Sequence, residues 1–170
     1  MRRELMRFGL CAAIVFTALY HAEVAQATPP SGFTGTTIAL GRLGPFTVLN
    51  RADLPKPARD WVSRQHTKGL SDLYVQNNIW DPGGTTGWHT HPGHSLIIVT
   101  SGTLTAYEGD DPSCTPTVYT QGMSFVDPGG SHMHVIRNEG AVSASTIAVQ
   151  LLAAGATRRL DAPDPGTCPF

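Results

Sequence analysis

Beyond Leu70 the chain falls into short runs rich in β-forming residues, DLYVQNNIW, WHTH, SLIIVTS, TLTAYEG, TVYTQ, SFVD, HVIRN and ASTIAVQLL. Each is four to nine residues long, and most are followed directly by Gly, Pro or Asp. Strands of this length at this spacing cannot bury themselves singly, and they predict an all-β sandwich or small barrel. No stretch sustains a helical period, no linker divides the chain, and no internal repeat is evident apart from two histidine-bearing segments.

Upstream the pattern is looser. Residues 28 to about 35 are Pro, Ser, Gly and Thr apart from Phe33 and predict a flexible terminus. TTIALG (36–41) and PFTVLN (45–50) read as strands, whereas NRADLPKPARDWVSRQHTKG breaks the rhythm with two prolines and several charges and predicts an irregular or briefly helical excursion. His66, among polar neighbours there, is read as solvated.

Met1 to Ala27 reads as an export signal: Arg2, Arg3 and Arg7 are basic, Phe8 to Tyr20 is an apolar run of 13 residues, and Ala25-Gln26-Ala27 is a small-x-small cleavage pattern. That run is shorter than the roughly 20 residues a spanning helix needs. RRELM resembles a twin-arginine signal, with the general secretory route as the default. The expected mature chain, periplasmic or secreted, has 143 residues, enough for one core, with 9 basic and 11 acidic side chains. Such a balance argues against nucleic acid or a membrane surface as partner and favours a small-molecule site. The expected organisation is a signal peptide over 1–27, an extension with short strands and an irregular segment over 28–70, and a barrel with a C-terminal tail over 71–170. Cys11 would leave with the signal, and Cys114 and Cys168, both in loop-like contexts, are predicted to form a disulfide worth about 4 kcal/mol.

Five of the six histidines in the expected mature chain lie in two segments, GWHTHPGHS (87–95) and PGGSHMHVIRN (128–138). Side chains two apart on a strand share a face, so His89 and His91 make a two-point grip for a metal. The second segment again leads from a glycine-rich turn into a strand with histidine, and three neutral imidazoles from two strands suit a mononuclear transition-metal site with open positions.

These residues resemble the two motifs of the cupin superfamily. Gly83, His89, His91 and Gly102 match the first, with Ser95 standing where the motif has glutamate. Gly122, Pro128, Gly130, His134 and Asn138 match the second, with one extra residue between Gly130 and His134. Resemblance runs from about Leu73 to Leu152. It implies a small jelly-roll barrel, a double-stranded β-helix, with a metal held by His89, His91 and His134.

The extra residue makes His132, of the same strand parity, a second-choice ligand, and counting back from Asn138 favours His134. His94 is read as lying behind the site or at the surface. Asp81, Glu108 and Asp127 are further carboxylates near the motifs, with no position at the metal assigned. Gln150, alone among apolar residues, is read as facing water. Pocket walls are expected from some combination of Tyr74, Trp80, Trp88, Ile98, Phe125 and Met133.

Without the glutamate, three neutral imidazoles leave a divalent ion its full charge, so an anionic substrate or hydroxide becomes the natural fourth ligand. Iron is favoured, with zinc, copper or nickel as alternatives. The resemblance implies an oxygen-dependent enzyme of dioxygenase type acting on a small anion. A non-catalytic metal or small-molecule binding module and a zinc-type hydrolase or lyase are the alternatives, the last needing a proton-handling residue that the sequence does not display. A homodimer is compatible with a fold of this kind.

Overall fold

A computed structural model describes residues 26–52 and 61–170. The expected signal segment lies almost wholly outside them, as does the proline-containing part of the excursion. The strands are β1 (Ser31–Leu43), β2 (Phe46–Arg51), β3 (Val62–Thr67), β4 (Ser71–Thr85), β5 (His89–Thr90), β6 (Ser95–Ser101), β7 (Thr103–Glu108), β8 (Thr117–Thr120), β9 (Ser124–Asp127), β10 (His134–Arg137), β11 (Ala144–Ala153) and β12 (Leu160–Asp161). No helix occurs among the described residues.

Ten of these strands form one antiparallel sheet, nearly closed into a jelly-roll barrel. One wall runs β9-β6-β11-β4-β1 and the other β8-β7-β10-β5-β12. The 15-residue β4 joins them, pairing with β11 along its length and with Arg137 of β10 through Thr85. Along β11 burial alternates strictly from Ala144 to Leu152, the period-2 signature of one face on a core and one outside. The inward set of β4 (Gln76, Asn78, Trp80) is paired with that of β11 (Ala148, Thr146, Ala144). One end of the barrel is packed by Trp80, Val99, Leu104, Ala106, Ile136 and Ala144. A second cluster, Trp88, Tyr107, Val135 and Cys168, lies beyond the opposite wall, and the Cys114–Cys168 disulfide packs into it, tying the tail to the loop after β7.

Two local expectations are corrected. Residues from Ser31 onward are not a flexible terminus but part of β1, which covers the edge of β4 in register from Thr85 to Ser71. Thr28 is already fixed by bonds to Trp88 and Ala162. The excursion likewise contains a strand: Val62–Thr67 pairs with Phe46–Arg51 as a separate two-stranded sheet, with exposed His66 bonded through Nδ1 to Thr47 Oγ1. VSRQHT has only one apolar residue and so no local strand pattern; its ladder with Phe46–Arg51 makes it a strand.

Two connections position the histidines. Gly87 (φ +65°) lets β4 turn into β5 where a Cβ would strike the carbonyls of Thr28 and Pro29. After β10, Asn138, 1% exposed, shares its Nδ2 hydrogens among the carbonyls of Trp80, Asp81 and Val142 and accepts from Gly140 N, fastening the corner between β4 and β10.

Candidate metal centre

His134 of β10 stands directly across the ladder from His89 of β5, and opposed side chains in an antiparallel pair are close neighbours. Their rings are 4.3 Å apart, and the ring of His91 lies 4.9 Å from His89 and 5.7 Å from His134. The three present one ligand atom each within 4.8 Å of one another, an arrangement positioned for a metal ion. His89, His91 and His134 are 4%, 8% and 6% exposed.

The orientation of two of these rings follows from hydrogen bonding. His89 Nδ1 lies 2.9 Å from the Gly87 carbonyl, and His91 Nδ1 2.7 Å from the Arg158 carbonyl. A carbonyl oxygen only accepts, so each Nδ1 carries the proton and each Nε2 offers a lone pair. Burial pushes the protonation of both below the ordinary imidazole range, and the neighbouring His134 and Arg159 lower His89 further. His134 is pushed down to about 4, chiefly by burial, against the opposing pull of Asp127. Neutral imidazole is the ligand form, and here it is the resting form.

A buried carboxylate approaches the imidazoles from another strand. Asp127 ends β9 directly opposite Ser95 of β6, and both are 3% exposed. Asp127 Oδ1 accepts from Gly129 N at 2.9 Å, while Oδ2 is buried with no hydrogen-bond partner and lies 3.4 Å from His91 Nε2. Oδ1 is also 3.9 Å from His134 Nδ1, itself buried without a partner. Of the three carboxylates near the motifs whose place the sequence left open, Asp127 is thus the one that adjoins the imidazoles. His132, the second-choice ligand, groups with Asp127 and His134 rather than with the other pair, and its Nε2 is 2.5 Å from Glu108 Oε2. Burial raises the Glu108 carboxyl above its usual range, against the pull of His132.

The histidines and Asp127 open onto a cavity of about 60 Å³, room for a few water-sized groups. Trp80 and Phe125 wall it as expected, joined by Phe33, Ile97 and Ile136. Trp88 and Met133 belong instead to the second cluster, and Ile98 is half-exposed on the outer face. Tyr74 and His94 do not line it. Gln150 is corrected from water-facing to cavity-lining: it is 2% exposed, and its Oε1, like that of Gln76, is buried without a partner. Parity was the available signal, since Gln150 shares a face with Ala148 and Thr146. Arg158 and Arg159 complete the lining from the loop after β11, a segment with no strand pattern to place them. Arg159 is engaged by Asp161 and the Thr86 carbonyl, whereas no acidic group among the described residues pairs with the half-buried Arg158 guanidinium.

Residues 79–150 match the family described as Cupin domain. The chain carries a cupin domain. Several solved structures are similar to the chain. The polyketide cyclase RemF from Streptomyces resistomycificus is 14% identical, with 88% of this chain and 90% of that chain covered and a TM-score of 0.50. A cupin domain from Bordetella pertussis Tohama I is 18% identical, covering 66% of this chain and 98% of that chain with a TM-score of 0.42. The DMSP lyase DddQ from Ruegeria pomeroyi DSS-3 is 16% identical, covering 55% and 45% of the two chains with a TM-score of 0.46. No curated protein sequence matches the chain.

The donor set of this cupin site fits a transition metal: neutral nitrogens with fixed lone pairs, and buried acceptors that nothing else satisfies. The disulfide is in keeping with an oxidising compartment, and no helix among the described residues is long and apolar enough to cross a membrane.

Proposed function

We propose that this cupin is an exported, metal-dependent enzyme of oxygenase type acting on a small anionic substrate, with His89, His91 and His134 as metal ligands. The observation that carries the reading is the convergence of buried imidazole nitrogens, two of them oriented by backbone carbonyls, on a small cavity also lined by Arg158, which pairs with no acidic group among the described residues. When bound, an ion such as iron would supply Lewis-acid and redox chemistry there. The protein's own contribution is selection and orientation. Arg158 attracts an anionic group into a cavity with mostly apolar walls, where the interaction is weakly screened. The amides of Gln76 and Gln150 offer a polar edge to a substrate oxygen or hydroxyl, and Trp80 and Phe125 exclude water around the rest.

A second reading, a zinc-type hydrolase or lyase, draws on the His132–Glu108 pair. His132 Nδ1 lies 3.8 Å from Asp127 Oδ1, and His132 itself does not line the cavity. This pair offers the proton-handling group that the sequence did not display.

One experiment tests both. Chelator-treated protein is reloaded with Fe²⁺ or Zn²⁺ and assayed with a panel of small carboxylates, with oxygen uptake followed in air and substrate loss followed anaerobically. The first reading expects uptake only with Fe²⁺, and Arg158→Gln to raise KM tenfold or more. Equal anaerobic turnover by the Zn²⁺ form would replace it with the second.

A further inference from the structure

The structure assigns Asp127 as the anionic metal ligand of this site, moved one strand over from the position where the cupin motif has glutamate. This inference rests on the metal-binding reading above and specifies its coordination. Four observations on the molecule carry it.

The first is register. Ser95 and Asp127 are cross-strand partners on β6 and β9, and both are buried. A short side chain at residue 95 leaves room beside the imidazoles that the opposing carboxylate can use. The second is an unmet valence. Asp127 Oδ1 accepts from Gly129 N, but Oδ2 is buried and unpartnered, and a bare carboxylate oxygen in such a place is costly unless a cation or donor meets it.

The third is that the nearest group is not a donor. His91 Nδ1 is committed to the Arg158 carbonyl, so the Nε2 that faces Asp127 Oδ2 is a lone pair. Two acceptors facing each other across 3.4 Å repel unless a positive centre lies between them. The fourth is distance. Ligand atoms about 2.0–2.1 Å from a tetrahedral ion are about 3.3–3.4 Å from one another, which is the separation of Asp127 Oδ2 from His91 Nε2. Asp127 is held for this by the turn that follows: Gly129 has φ +69°, and a Cβ there would strike the carbonyls of Gly93 and His91.

A carboxylate at the ion changes the substrate logic. It offsets one of the ion's two charges, so an anionic substrate is drawn by Arg158 more than by the metal.

The test uses the full chain, Co²⁺ and Zn²⁺. Affinities are measured by chelator competition, and the visible Co²⁺ spectrum reports coordination number and donor type independently of any activity. Asp127→Asn, which keeps an oxygen for the Gly129 N–H, is expected to weaken both ions by about a hundredfold or more and to change the Co²⁺ spectrum. Adding Ser95→Glu to that variant returns a carboxylate from the neighbouring strand and is expected to recover most of the affinity. Unchanged affinity and spectrum in Asp127→Asn, with wild type binding tightly, would overturn the assignment while leaving the metal reading intact. Absence of Co²⁺ and Zn²⁺ binding by wild type would instead remove the metal reading itself. Should Asp127→Asn melt far below wild type, the rescue decides: no recovery of binding in a double variant that melts like wild type refutes the assignment.

Discussion

The buried imidazoles make the metal-free protein sensitive to mild acid over a defined window. His134 has a folded value of about 4 against an ordinary 6.5, and each unit is about 1.4 kcal/mol. Its folded value is depressed, so the unfolded chain binds the proton first as pH falls. Stability is therefore full above pH 6.5 and drains away by about 3 kcal/mol as pH falls to 4. His89 and His91 are shifted in the same direction and add to the loss. Other groups can be separated from this. Asp72, held below the carboxylate range by Arg42, and Asp111, held there by Thr115, lose their contributions only below pH 3.8. Glu108 is raised above 4.5 and works in the opposite sense, so Glu108→Gln is the background of choice. The assay is urea unfolding of chelator-treated protein at intervals from pH 7.5 to 4.5, with and without His134→Gln. A domain of ordinary stability holds only about 5–15 kcal/mol, so a loss of this size is readily measured. Equal unfolding free energies at pH 7 and pH 4.5 would refute the claim that the site holds neutral, desolvated imidazoles.

Two further predictions concern the frame around the site. Cys114→Ser with Cys168→Ser removes a link closing a loop of 54 residues and should cost about 4 kcal/mol by chain entropy, seen as a lowered urea midpoint with the Co²⁺ spectrum kept. Asn138→Leu strips hydrogen bonds from three carbonyls and one amide at the corner between β4 and β10, and a loss of about 3 kcal/mol is expected in urea unfolding.

How much of this was legible beforehand depended on whether the determining signal was local. The all-β class was legible because alternation and turn residues are properties of neighbouring positions, and the strands found from Ser71 to Ala153 follow those runs. The pairing of His89 and His91 with His134 was legible through motif spacing. The start of β1 and the whole of β3 were misread because a strand poor in core residues is held by its partner: β1 is almost wholly exposed and exists through its ladder with β4. Asp127 and Gln150 were visible as residues but not as members of a site, since strand register places them there and no local pattern encodes it. The sequence by itself determined a β barrel with clustered histidines and two cysteines able to bridge. Tertiary structure alone decided which carboxylate faces the imidazoles, which nitrogen each of His89 and His91 offers, and that Arg158 reaches the same cavity. The Ser95–Asp127 pairing and the His91–Arg158 bond join residues 32 and 67 positions apart, made neighbours by sheet register and loop return.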